Sequence, residues 1–218
     1  MMKKIMLFLC VSFFCVACQR ESLQQIHPNP TQLKALYSES GTASLGKQDA
    51  PITMVEIYAY DCRYCRKDYP LIEQFVKEHP NVRVVFKPFL AFGDKTKKWP
   101  QYAALAAGKQ GQFLAMHHAL MTTNRTLTMR LINKIAGELN LNKEKFRSDL
   151  NSEEVVKQIQ DNTDLMNALD ITGIPALIVT QTRLINEPNL VEQIPQYIQI
   201  GFLSNDVLMN MMNKVQEK

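Results

Sequence analysis

The sequence predicts an α/β core interrupted by an inserted helical block. Three observations carry this. Two runs rich in β-branched and aromatic residues lie between residues 51 and 90, a long stretch of helical period follows them, and strand character then returns before a closing amphipathic helix. A chain of 218 residues suffices for one large domain, or for a small domain with an insertion, without staples. With 46% hydrophobic residues, eight Gly and five Cys, it reads as an ordinary globular protein, neither disulfide-rich nor disordered.

Residues 1–18, MMKKIMLFLCVSFFCVAC, place Lys3 and Lys4 before an apolar run that ends at Ala17. The run is too short to span a bilayer as a stable helix and too apolar for a soluble surface, which is the layout of a signal peptide. Val16 and Ala17 before Cys18 resemble the lipobox of bacterial lipoproteins, in which cleavage just before a cysteine leaves that cysteine, here Cys18, carrying lipid. That pattern usually has Leu where this chain has Cys15, and ordinary cleavage nearby or an uncleaved anchor are the alternatives. Cys10 and Cys15 read as small apolar residues of the discarded segment. Its removal leaves Cys18, Cys62 and Cys65, in an oxidising compartment where a thiol pair persists as a disulfide. Losing Lys3 and Lys4 from 25 basic residues leaves 23 against 21 acidic ones, a balance that predicts no nucleic-acid partner. The small basic cluster GDKTKKWP reads as a solvated loop.

Residues 19–48 read as a tether and a small N-terminal helix, Thr31 to Ser38, with Leu33, Leu36 and Tyr37 on one side. That helix either dimerises or packs back on its own domain, so monomer and dimer both stay open. After Pro51, ITMVEIYAY is apolar on both faces except at Glu56, the pattern of a buried central strand. CRKDYPLIEQFVKEH then shows helical spacing at Leu71, Ile72, Phe75 and Val76, with a kink predicted at Pro70, and NVRVVFKPFL is a second strand. Residues 97–170 have helical period throughout, with Thr128 and Ser152 as N-caps, the second followed by two Glu that suit a helix start. TGIPALIVT returns to strand, RLINEP is expected to pair with it as a hairpin, and SNDVLMNMMNKVQEK closes as an amphipathic helix whose methionines fill core. The expected organisation is therefore a signal segment and lipobox at 1–18, a tether and helix at 19–48, one α/β domain made of 49–96 and 171–218, and a helical domain, 97–170, inserted into it.

The stretch AYDCRYCRKDYP holds the chemistry, and three readings of Cys62 and Cys65 compete. A zinc site needs about four ligands, and the adjacent His117 and His118 point about 100° apart on a helix, so metal is disfavoured and the histidines read as surface or satisfied helix residues. A structural bridge closing so short a loop removes little unfolded-state entropy. A redox pair explains more: at a helix start, unpaired N–H groups and the helix dipole stabilise a thiolate on Cys62, with Cys65 one turn inside as its partner. Arg63 and Arg66 add positive charge while Asp61 opposes them, and Tyr64 shapes the lip. Glu56, six residues before Cys62, is placed to exchange a proton with Cys65 through water, against the alternative of an edge-facing or loop-satisfied acid.

The pair following a strand in YAYDCRYC, the helical insert, and TGIPA with Pro175 beyond it resemble the DsbA-like thiol-disulfide oxidoreductases of the thioredoxin fold. Within them the likeness is to the short-insert branch that includes the Com1-type outer-membrane proteins, and it runs over residues 44–185. The resemblance implies that Pro175 is cis, that Ile174 lies against the sulfurs and pairs with substrate, and that Glu56 is the family's buried acid. It also implies that the redox-active disulfide is the sole prosthetic feature, with no bound cofactor. Implied partners are exported proteins with thiols or disulfides and a membrane redox partner, met on the periplasmic side of a bacterial membrane, with Gln19 favouring outer-membrane sorting. Two residues depart from the branch: its dipeptide usually begins with Pro where this chain has Arg63, and Ala59 replaces an acid often found three positions before the first cysteine. Oxidase, reductase or isomerase activity all fit the motif, as does a non-enzymatic lipoprotein that binds partners in the same groove.

Overall fold

In the computed structural model, residues 23–39, 42–90, 97–187, 190 and 194–216 are described. The signal segment with Cys18, and the first half of GDKTKKWP, lie outside them. The polar tether contributes a short strand, β1 (Gln24–Ile26), and a helix, α1 (Pro30–Tyr37). A capping box between Asn29 and Gln32 starts α1, and Leu33, Leu36 and Tyr37 are buried in the protein's own core. The apolar face that offered a route to dimerisation is thus used within the chain.

All seven residues of β2 (Ile52–Tyr58) are buried, and so are all seven of β3 (Val82–Pro88), its parallel neighbour. They are joined by α2 (Arg63–Glu78), in which Pro70 sits inside one continuous helix. Among the described residues, five helices then separate β3 from β4 (Ala176–Gln181): α3 (Trp99–Gly108), α4 (Phe113–Thr122), α5 (Met129–Glu138), α6 (Lys143–Asp149) and α7 (Glu153–Ala168). The Thr128 and Ser152 side chains cap α5 and α7 by accepting from Leu131 and Val155 N–H.

The hairpin partner of β4 differs from the expected one. RLINEP begins with a single helical turn, α8 (Arg183–Asn186), which buries Leu184, while β5 (Gln196–Ile200) pairs antiparallel with β4. The strand run stops at Thr182, whose N–H turns back to donate to the Pro51 carbonyl at 2.8 Å. The chain closes with α9 (Asn205–Gln216), and the sheet order is β1-β5-β4-β2-β3.

Strand alternation divides β2 between two cores. Ile52, Met54 and Tyr58 face one that α2, α9 and the inserted helices complete. Val55 and Ile57 face another, shared with α1, α8 and Leu165 and Met166 near the end of α7. The fold is the predicted α/β sheet with helices inserted between β3 and β4. No helix among the described residues is long and apolar enough to cross a membrane.

Candidate active site

β2 runs straight into the site. Cys62 is the N-cap of α2, and its Sγ accepts the Cys65 backbone N–H at 3.1 Å, so the sulfur occupies the place where a helix stabilises negative charge. A disulfide joins the two cysteines, with Cα atoms 5.3 Å apart. Cys65 is fully buried and Cys62 is partly exposed, so Cys62 is the more accessible of the two. Arg63 and Tyr64 are exposed beside it, while Arg66 is tied down by donating to the Met121 carbonyl at 3.3 Å. Asp61 opposes these cations less than the sequence implies, because Lys97 pairs with it at 3.2 Å.

Antiparallel pairing of Ile57 with Ala176 brings the start of β4 to the C-terminal end of β2. The preceding Ile174–Pro175 bond is cis, and the Ile174 carbonyl oxygen lies 4.0 Å from Cys62 Sγ. Beside this loop opens a cavity of about 560 Å³ lined by Phe89, Leu90, Thr163, Asn167, Ile171 and Ile174.

Glu56 is completely buried at mid-strand, and neither carboxylate oxygen has a hydrogen-bond partner among the described residues. It is neither edge-facing nor satisfied by a loop. Burial, with the negative charge of Asp68 second, pushes its carboxyl up to about 8, so it is protonated at neutral pH.

The thioredoxin family profile matches residues 38–199, well over half of the sequence. The chain belongs to the thioredoxin family. A solved thioredoxin-like oxidoreductase from Silicibacter pomeroyi shares its fold with a TM-score of 0.71 and 25% identity, over 85% of this chain and 98% of that one. The thiol:disulfide interchange protein DsbA of Bordetella pertussis is 31% identical over 134 residues, 59% of this chain and 63% of that protein. The Na(+)/H(+) antiporter NhaA 3 of Salinispora tropica is 27% identical over 139 residues, 63% of this chain but 21% of the antiporter. The chain thus spans about a fifth of the length of the curated relatives it matches first. These likenesses bear out the DsbA-like resemblance, whereas the Com1-type refinement rests on sequence motifs alone.

This thioredoxin-family site has a polar layer that the sequence reading missed. Tyr58 shares the β2 face of Glu56, Tyr60 follows in the turn after the strand, and their hydroxyls lie 3.1 Å apart. The Tyr60 hydroxyl is 2.8 Å from His117 Nδ1 on α4. His117 was expected to be a surface or satisfied helix residue. It is fully buried among Tyr58, Tyr69, Phe86 and Phe113, and its Nε2 has no partner among the described residues. Burial, then the neighbouring His118, lowers its pKa to about 3, so the ring is neutral. Asp68, one turn beyond Cys65, is buried with one oxygen unpartnered, and burial raises its pKa. The parity of Glu56, Tyr58 and Tyr60 was the available signal. No local pattern ties residue 60 to residue 117.

Proposed function

We propose that this chain is an exported thiol-disulfide oxidoreductase that forms or exchanges disulfide bonds in extracytoplasmic proteins. The observation that carries the reading is Cys62: a disulfide sulfur at a helix N-cap, partly open to solvent, beside a cis-proline loop and backed by a buried Cys65. A substrate thiolate attacks Cys62 Sγ, the Cys62–Cys65 bond breaks, and the electron pair leaves on Cys65. The substrate's second thiol then displaces Cys62, and the enzyme departs reduced. Glu56 takes the role of proton exchanger for Cys65, since a carboxyl tuned to about 8 both gives and takes a proton near neutral pH. Arg63 and the α2 N-terminus hold the Cys62 thiolate, Ile174 and Pro175 align the substrate backbone, and Tyr64 borders it. No cofactor enters, because the disulfide carries the electrons. A lipid on Cys18 would tether the enzyme to the periplasmic side of a membrane, where a membrane redox partner recharges it.

The test is the equilibrium of Cys62 and Cys65 across glutathione redox buffers, with free thiols trapped by alkylation. A potential towards the roughly −120 mV of DsbA gives a dithiol oxidase, and one near or below about −200 mV gives a reductase or isomerase. Thiols that never equilibrate would remove the oxidoreductase reading altogether.

A further inference from the structure

Three large apolar side chains stand exposed among the described residues, and two of them sit on the elements that bound the site: Tyr64 at 63% and Phe202 at 55%. Tyr64 lies between the cysteines in the first turn of α2. Phe202 comes from the turn after β5, which is fastened to the cis-proline loop. There the Gly201 N–H donates to the Pro175 carbonyl at 2.8 Å, and Gly201 takes φ 93°, a conformation that glycine alone adopts freely. Lys67 of α2 places Nζ 5.4 Å over the Phe202 ring, so a cation and an aromatic ring bridge the two elements that bound the site.

The charges on this rim are lopsided. Arg63 and Lys67 are exposed on α2. Of the acids nearby, Asp61 is paired with Lys97, Asp68 is buried, and Asp206, in the first turn of α9 four residues beyond Phe202, is the exposed one, set against both Arg63 and Lys67. Asp170, exposed on the loop that leads to Ile174, stands on the far side of the cis-proline. What a substrate meets around Cys62 is therefore aromatic surface and net positive charge.

Resting on the exchange reading above, the geometry points to a substrate class: exported polypeptides whose reacting cysteine is flanked by an acidic residue with an apolar neighbour. The carboxylate meets Arg63 and Lys67, and the apolar side chain lies on Tyr64 and Phe202. The chemistry suits the cations as well. A carboxylate beside the substrate cysteine disfavours its thiolate, and positive charge at the mouth restores that thiolate as it approaches Cys62 Sγ. The new bond joins the substrate sulfur to Cys62, the Cys62–Cys65 bond breaks, and the electron pair goes to Cys65.

The experiment uses the full-length oxidised chain and two single-cysteine peptides that differ only in carrying Glu or Lys on either side of a Cys-Leu pair. Reduction of the Cys62–Cys65 disulfide is followed at low and high salt. Each rate is divided by that peptide's rate with a small uncharged disulfide, which removes differences in thiol pKa. The acidic peptide should react about tenfold faster at low salt, with the ratio falling at high salt and in Lys67→Glu. If Lys67→Glu fails to fold, Lys67→Gln with the wild-type salt dependence decides. Equal normalised rates, or a preference for the basic peptide, would overturn the acidic-substrate class while leaving thiol exchange intact. Failure of both peptides and of glutathione to react would instead remove the oxidoreductase reading on which it rests.

Discussion

On the sheet face covered by α1, buried cations are matched, whereas on the face beneath the disulfide, buried acids are not. Arg83 donates to Thr53 at 2.9 Å and to Glu39 at 2.7 Å, and Lys87 donates to the Ser38 carbonyl at 2.6 Å. Across the sheet, Glu56, Asp68 and His117 each keep at least one buried polar atom without a partner among the described residues. An unpartnered buried group costs about 1–3 kcal/mol. The buried cations on one face are matched, while the unmatched titratable groups lie on the other, toward the disulfide, where perturbed titration is useful. One strand separates the two regimes: in β2, Thr53 belongs to the first face and Glu56 to the second.

The largest effect expected on the reactive face is that of Cys62→Ser, which should abolish exchange in glutathione buffers. Its denaturation midpoint should stay close to that of the oxidised wild type, because a disulfide across two intervening residues restricts the unfolded chain little. Glu56→Gln comes next. In the wild type the unfolded carboxyl loses its proton near 4.5 and the native one near 8, so in this window the unfolded state binds fewer protons and stability falls as pH rises. At about 1.4 kcal/mol per pH unit, the loss across the window is on the order of 5 kcal/mol. Glu56→Gln should flatten that slope in urea titrations, raise stability at neutral pH, and slow exchange by removing the proton exchanger proposed for Cys65. A variant that keeps the slope would show that the titration belongs to another group.

What was legible in the sequence follows the same division. Cys62 and Cys65 were readable because a close cysteine pair at a helix start is rare, whereas Pro175 was reached only through the family resemblance that TGIPA carries. Glu56 stood out as the sole acid in an apolar run. Strand β1 was not readable, since Gln24–Ile26 carries little apolar pattern and is held by backbone pairing to β5. RLIN and QYIQI were exchanged because both mix apolar and polar residues over too few positions to fix a period. The Tyr60–His117 contact spans 57 residues, and only the packing of α4 against the site creates it. Long-range polar contacts of this kind are set by tertiary geometry, so the functional layer under the disulfide was half visible at best.

The matched face should answer differently. Burial lowers the Lys87 pKa to about 8, partly offset by Glu39. Between pH 8 and 10.5 the unfolded state therefore binds more protons than the native one, and stability rises with pH by an amount on the order of 3 kcal/mol over the window. Lys87→Met should remove that rise and leave the exchange rate of folded protein unchanged. A change in exchange would break the separation between the faces.

Asp68→Asn is the finest probe, because it leaves the acid itself in place and alters only its surroundings. Asp68 is the second cause, after burial, of the raised Glu56 pKa. Removing its charge should therefore move the upper end of the Glu56 window down from about 8 by less than one pH unit, with the lower end near 4.5 fixed by the unfolded chain. The stability slope keeps its sign but ends earlier, and the pH profile of exchange shifts in the same direction. Both shifts together mean that Glu56 and the proton-linked step of exchange are one titration. If stability shifts and the exchange profile does not, Glu56 is a buried acid that the reaction does not use, and the proton of Cys65 travels by another route.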